Sequence, residues 1–168
     1  MDTTRLARAT DAPRITNLQM ENWRISHPEI ARLLIPAEVQ LQWTQAITND
    51  GARGRVLVCE RDHIMVGVAV VEFDGEMGTL TLLEVEPAAR RQLVGARLLN
   101  AVADIAATAG CLQLCAWLTA DQMAGKKFLE STGWVNSGAS RTVSTDPGES
   151  ANSALRTDQI EWTTALAP

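Results

Sequence analysis

Apolar and polar positions alternate differently along the chain, and each change of period marks an element. Leu80-Thr-Leu-Leu-Glu-Val-Glu-Pro87 is apolar enough for a buried strand. Pro87 ends it, because proline has no N–H for a ladder. Beyond it Leu98, Leu99, Val102, Ile105, Ala106 and Ala109 fall three or four apart, which predicts a helix. Gly110 can take the positive φ that closes such a helix. The middle of the chain therefore reads strand, short loop, helix.

The flanks follow the same logic. Arg5 to Ala9 fits a short first strand. Thr10 or Asp11 can cap a helix with Pro13 early in it, its apolar positions being Ile15, Leu18, Met20 and Trp23. His27-Pro28 and Ile35-Pro36 interrupt the region, and Ala37 to Ile47 reads as a second helix carrying Val39, Leu41, Trp43 and Ile47. Asn49 to Gly54 is a loop, Arg55–Glu60 a strand, Arg61–His63 a turn and Ile64–Phe73 a long strand. Asp74-Gly75 is a hairpin signal leading into the strand Gly78–Glu86. Leu112–Leu118 is a strand and Ala120–Thr132 a helix. Asn136 to Asp158 is rich in Ser, Thr, Gly and Asn and contains Pro147-Gly148, which predicts a flexible loop or irregular arm. Ile160–Leu166 returns as a last strand. No repeat is present. The order predicts an α+β fold over residues 1–168: one domain with a single mixed, mostly antiparallel sheet flanked by helices.

Composition narrows the function classes. With 168 residues and 46% hydrophobic content, the chain can bury a real core. A net charge of −5 disfavours a nucleic-acid partner. No apolar run reaches membrane-spanning length and Met1-Asp-Thr-Thr-Arg5 lacks a signal peptide's apolar stretch, so a cytoplasmic protein with no membrane partner is expected. Cys59, Cys111 and Cys115 lie in or beside apolar strands without metal-type spacing, which predicts reduced core thiols and no metal site. There is no tyrosine.

The loop after Pro87 holds the first candidate chemistry. The free N–H groups of the following helix carry partial positive charge, Arg90 and Arg91 add to it, and Gly95 admits a ligand to that backbone. A pyrophosphate would fit such a site. The same residues also suit an ordinary strand-to-helix connection with solvated arginines.

Val85-x-Pro87-x-x-Arg90-x-x-Leu93-x-Gly95 resembles the acetyl-CoA signature of the GNAT N-acetyltransferase superfamily, Val-x-Pro-x-x-Arg/Gln-x-x-Gly-x-Gly/Ala. The first glycine is Leu93 here, a departure that crowds one pyrophosphate contact. Gln122-x-x-Gly125 and Phe128-Leu-Glu-Ser-Thr-Gly133-Trp134 resemble the family's next helix, Asn-x-x-Ala-x-x-Phe-Tyr-x-x-x-Gly-Phe, with Leu129 in place of the tyrosine that often protonates the departing thiolate. The resemblance implies an acetyl-CoA-dependent N-acetyltransferase. Its pantetheine arm would lie in a splay between the strands ending at Pro87 and Leu118. Its cofactor contacts would come from Leu83, Val85, Arg90, Arg91, Gln92, Leu93, Val94, Gly95, Ala96, Gln122, Gly125 and Phe128, with Leu83, Val85 and Leu93 acting through their N–H groups. Trp23 and Arg24, with His27 and Trp43 nearby, lie where the family builds its acceptor wall.

Glu84 is the candidate catalytic base. It alternates against Leu83 and Val85 and so projects to the opposite face of the strand. There it can take an amine proton through water or bind the substrate ammonium; the other reading is a solvated edge glutamate. Glu72 and Asp74 near the hairpin, His27 before Pro28 and His63 in a turn read as solvated groups, and Trp43 as core. No cysteine has a paired histidine nearby in sequence, which disfavours a covalent intermediate. The expected reaction is direct attack of a small-molecule or peptide primary amine on the thioester, with a homodimer left open. A catalytically weak acyl-CoA-binding or regulatory domain is the second reading, and an unrelated phosphate-binding βα domain the third.

Overall fold

Alternating residues divide the core between two faces of one sheet. The computed structural model describes residues 1–49, 53–145 and 155–166. Its strands are β1 (Asp2–Leu6), β2 (Gly54–Arg61), β3 (Ile64–Asp74), β4 (Met77–Val85), β5 (Gln113–Thr119), β6 (Val135–Thr145) and β7 (Leu155–Ala165). They form a seven-stranded sheet in the order β1-β2-β3-β4-β5-β7-β6. Every neighbouring pair is antiparallel except β4 and β5, which run parallel. The helices are α1 (Ala12–Ser26), α2 (Pro28–Ala31), α3 (Pro36–Thr48), α4 (Val94–Thr108) and α5 (Met123–Ser131). Pro28 and Pro36 stand at the first positions of α2 and α3, where a missing N–H costs nothing. Asp62 and His63 take positive φ (50° and 67°), forming the tight turn between β2 and β3.

In β2, Val56 and Val58 face α1 and α3, joining a cluster with Ile15, Leu18, Trp43 and Val68. Leu57 and Cys59, one step out of phase, face α4 and α5 in a larger cluster with Leu98, Val102, Leu114, Leu129 and Trp162. Helix α4 sits directly on the sheet. A side chain at Gly67 would come within 2.9 Å of Leu98, so glycine there sets how closely the helix approaches. The three cysteines are buried and free.

Two expectations are corrected. The first strand starts at Asp2, and Ala9–Asp11 form a short 3-10 turn instead of extending it. The stretch expected to be an irregular arm contains most of β6 and the start of β7, which pair antiparallel. β-Branched residues such as Thr142 and Val143 suit a strand, but pairing across a long connection has no local signature. The middle of that arm, residues 146–154, lies outside the described residues. No helix among the described residues is long and apolar enough to cross a membrane.

Candidate active site

The parallel pair β4–β5 stays together for only three positions, ending at Thr79 opposite Cys115. Beyond that point β4 remains with β3 up to Val85 and β5 remains with β7 up to Thr119. The two strands therefore open into a splay, with Thr79 Oγ1 and Cys115 Sγ 3.3 Å apart at its closed end. A bulge at Thr81, where Val71 pairs Leu80 and Val70 pairs Leu82, bends β4 just past this point. The edge of β4 that faces the gap can be assigned. The Glu86 N–H bonds back to Val66 O at 2.9 Å, so Val85 and Leu83, out of phase with it, direct their N–H and C=O groups into the opening.

The start of α4 closes the mouth of this opening. Leu93 precedes it at φ 66°, and no side chain caps the helix. The N–H groups of Val94, Gly95 and Ala96 thus belong to an uncapped first turn that can receive an anion. A side chain at Gly95 would meet Phe128 at 3.3 Å and Val85 at 3.9 Å, which places the turn between the end of β4 and α5. This revises the role expected of Gly95: the space left by its missing Cβ is filled by the Phe128 ring, not held open for ligand.

Three further expected cofactor residues are occupied elsewhere. Arg90 turns back, donating from Nη2 to Asn22 Oδ1 at 2.7 Å and from Nε to Val85 O at 3.2 Å. Its charge therefore serves the end of β4 and α1. Gln92 donates to Ala88 O at 2.9 Å and accepts from Arg61 through its Oε1. Arg61 is itself held in a two-pronged pair by Asp2. Gln122, just before α5, accepts from Thr119 N–H at 2.8 Å and so braces the end of β5. Arg91 is exposed with φ 62°, leaving its side chain free to turn toward an anion. Gly125 faces Leu118 at ordinary packing distance. Leu129, expected where the family's tyrosine stands, is 3% exposed within the core beneath α5.

On the other face of β4, Glu84 meets α1. Asn22 Nδ2 donates to its Oε2 and Trp23 Nε1 to its Oε1, each at 3.1 Å. Leu83 and Val85 pack on the α4 side, as the alternation predicted. Burial pushes the Glu84 carboxyl above the ordinary carboxylate range, partly countered by these two hydrogen bonds and by the charge of Arg90. Arg14 ties α1 across this end of the strand, pairing with Glu86 at 3.0 Å and donating to Met65 O. Asn22 is 6% exposed and touches Glu84, Val85 O and Arg90 at once. An asparagine on a helix otherwise read for its apolar positions gave no sequence signal, because its partners lie more than sixty residues away.

The remaining candidates separate cleanly. Arg24 is exposed on the last turn of α1, away from the Glu84 hydrogen bonds. His27 is exposed and stacks edge-on to Trp23 at 6.4 Å. Trp43 is core, donating to Gln19 at 2.8 Å. Glu72, Asp74 and His63 are exposed, and Asp74 pairs with Arg53 at 3.6 Å. Among the described residues no cluster of His, Cys, Asp or Glu could hold a metal ion.

The arrangement comprises an open strand edge, an uncapped helix end and a half-buried carboxylate across β4. Known folds share its architecture. The PaiA N-acetyltransferase of Thermoplasma acidophilum, solved in complex with coenzyme A, superposes with a TM-score of 0.76 at 14% identity, covering 98% of this chain and 99% of that one. A ribosomal-protein-alanine N-acetyltransferase from Brucella melitensis gives 0.73 at 22% identity, covering 98% and 99%. The yncA protein of Salmonella typhimurium, solved with acetyl-CoA, gives 0.71 at 22% identity, covering 100% and 95%. At these identities the likeness establishes the fold. No curated protein matches the sequence. The family model described as Acetyltransferase (GNAT) family matches residues 12–134, from the start of α1 through the helix after the splay, and the chain belongs to that family.

Proposed function

We propose that the chain transfers an acetyl group from acetyl-CoA to a primary amine by direct attack on the thioester, with Glu84 as the general base. The observation that carries this reading is Glu84 itself, a half-buried carboxylate beside the splay, oriented by Asn22 and Trp23 and pushed up in pKa by burial. A base titrating nearer to neutrality works with a better balance of protonation state and driving force. The thioester supplies an activated acyl group. The inward-facing N–H groups of Leu83 and Val85 can hold the pantetheine arm and polarise the carbonyl, and the first turn of α4 can hold the pyrophosphate. That relatives of this fold were crystallised with coenzyme A and acetyl-CoA supports the donor. Their names also include enzymes acting on a protein's alanine, so the acceptor class runs from small amines to peptide N-termini.

One feature favours the second reading, a weak acyl-CoA-binding domain. Leu93 holds a left-handed conformation at the anion site with a 69% exposed side chain, where glycine would leave the approach open. Release of thiol from acetyl-CoA, measured against a panel of amines, separates the two. Turnover that falls in Glu84→Gln while calorimetric CoA affinity holds is the expected result. Binding without turnover on any amine would establish the second reading, and absence of CoA binding would remove both.

A further inference from the structure

We propose that the acceptor carries a carboxylate in addition to its amine, and that Arg141 binds it; this rests on the acetyl-transfer reading above. Leu114 and Ala116 of β5 pack beneath α4 and α5. By alternation Cys115 and Trp117 point to the opposite face, which is the face of Glu84. Arg141, on β6, reaches back across β7, and its guanidinium lies 4.3 Å over the Trp117 ring. Its Nε donates to Gln159 Oε1 at 2.8 Å. The stacking and this hydrogen bond fix the plane of the guanidinium and leave its two terminal nitrogens as an oriented fork.

The charge of that fork is not spent on a neighbouring acid. No ion pair among the described residues includes Arg141. The acid beside it on β7, Glu161, accepts from Ser137 at 2.6 Å. Glu161 and Arg141 act on the Cys115 thiol in opposite senses, the acid raising its pKa and the arginine lowering it. The face thus presents the Glu84 carboxylate from β4 at one end and, over β5, a cation that makes no ion pair among the described residues, beside Glu161, which is paired in register with Trp117 and held by Ser137. This is the charge complement of a molecule with an ammonium at one end and a carboxylate at the other.

The strands give the spacing. Measured from the Thr79–Cys115 pair, Glu84 lies several residues along β4 and Trp117 only two along β5. At ~3.3 Å per residue the three-residue offset is roughly 10 Å along the strands, and the splay adds to it. An α-amino acid joins its amine and carboxylate through one carbon and cannot span this distance. The matching chemistry is an amine with a remote carboxylate. An ω-amino acid supplies it, and so does a short peptide with a free N-terminus and an acidic residue in its second or third position.

The test compares acceptors that differ in that charge alone. Medium-chain ω-amino acids are paired with their carboxamides, and Ala-Ala-Glu peptides with Ala-Ala-Gln peptides, both blocked at the C-terminus; kcat/KM is measured for each pair at low and high salt. The acid of a pair is expected to be preferred by about 10- to 100-fold at low salt, as for a charged hydrogen bond. The pair with the larger ratio identifies small molecule or peptide as the source. In Arg141→Gln the ratio should collapse toward one, and Arg141→Lys should restore part of it without the fork. Equal turnover of acid and amide, or a preference that survives in Arg141→Gln, overturns the proposal and leaves the acetyl-transfer reading standing. Absence of turnover on every amine overturns the acetyl-transfer reading, and this proposal with it.

Discussion

The two halves of the cleft are built in opposite ways. The donor half is contiguous: β4, the loop after Pro87 and α4 follow one another within residues 77–108. The chemistry proposed for it is backbone chemistry, namely N–H groups at an open strand edge and at a helix end. The proposed acceptor half is assembled from α1, β4, β5 and β6, and it would work through the side chains of Asn22, Trp23, Glu84, Trp117 and Arg141. A backbone site tolerates side-chain change as long as the chain path holds, whereas a side-chain site loses function one residue at a time. This explains how Leu93 can depart from the family pattern while the strand-loop-helix path survives.

Substitutions can break that contrast, and the largest expected effect is on the acceptor half. Glu84→Gln should lower kcat by about 10²–10⁴-fold, the usual range for general acid–base help, and leave CoA affinity within about twofold. Its carboxyl titrates higher in the folded chain than in the unfolded one, so folding favours the protonated form. The stability it lends is present at acid pH and is lost as pH rises through the folded value. Denaturation series should therefore show Glu84→Gln gaining on the parent from pH 4 to pH 8.

On the donor half, Gly95→Glu should weaken CoA binding by about tenfold or more, measured by calorimetry. It puts a negative charge at the helix end and a side chain against Phe128. Unchanged affinity would remove the anion site from this turn. Asn22→Ala links the halves. Losing its hydrogen bond to Glu84 removes an interaction that lowers the pKa, so the acid limb of the pH–kcat profile should move upward. Arg90 and Val85 O also each lose one of their partners, at a cost of about 1–3 kcal/mol in chemical denaturation.

Leu129→Tyr should not restore a leaving-group acid. The position is buried in the core, so the added bulk should cost about 1–3 kcal/mol, read as a lower Tm. With no tyrosine in the chain and the buried Cys115 thiol pushed up in pKa, the pH profile should rise on one ionisation and then level. An alkaline limb that vanishes in Cys115→Ala would instead reveal an enzyme acid. The smallest effect is expected from Leu93→Gly. It relieves a left-handed leucine whose side chain buries little, gaining up to about 1 kcal/mol, or about 2–4 °C in Tm. A tighter CoA constant in the same variant would sharpen the account of the donor half.

Legibility in the sequence followed the same division. The hairpin at Asp74-Gly75, the helix beginning after Pro87 and the phase of Glu84 against Leu83 and Val85 were readable, since each depends on neighbours a few residues apart. Arg90 and Gly95 stand out in the sequence, but their partners in the fold do not. Arg90 was expected to serve a phosphate and instead grips Asn22, while Gly95 was expected to face a ligand and instead faces Phe128. The β6–β7 pairing was missed because its stabilising pairs join positions such as Thr142 and Asp158, sixteen residues apart in a stretch rich in Ser, Thr, Gly and Asn.

Period and punctuation, then, are properties of the sequence by itself. Strand alternation, helical spacing, prolines at helix starts and the Val85–Gly95 spacing follow from local backbone geometry, and they determined the fold class and the donor loop. Which side chains share the cleft was decided only by tertiary structure. The β4–β5 splay ends their pairing at Thr79 and Cys115, α1 crosses β4 at Glu84, and β7 lies between β5 and the strand that sends Arg141 over Trp117. Those meetings depend on how the sheet is ordered and packed, and packing brings together residues that have no local reason to signal one another.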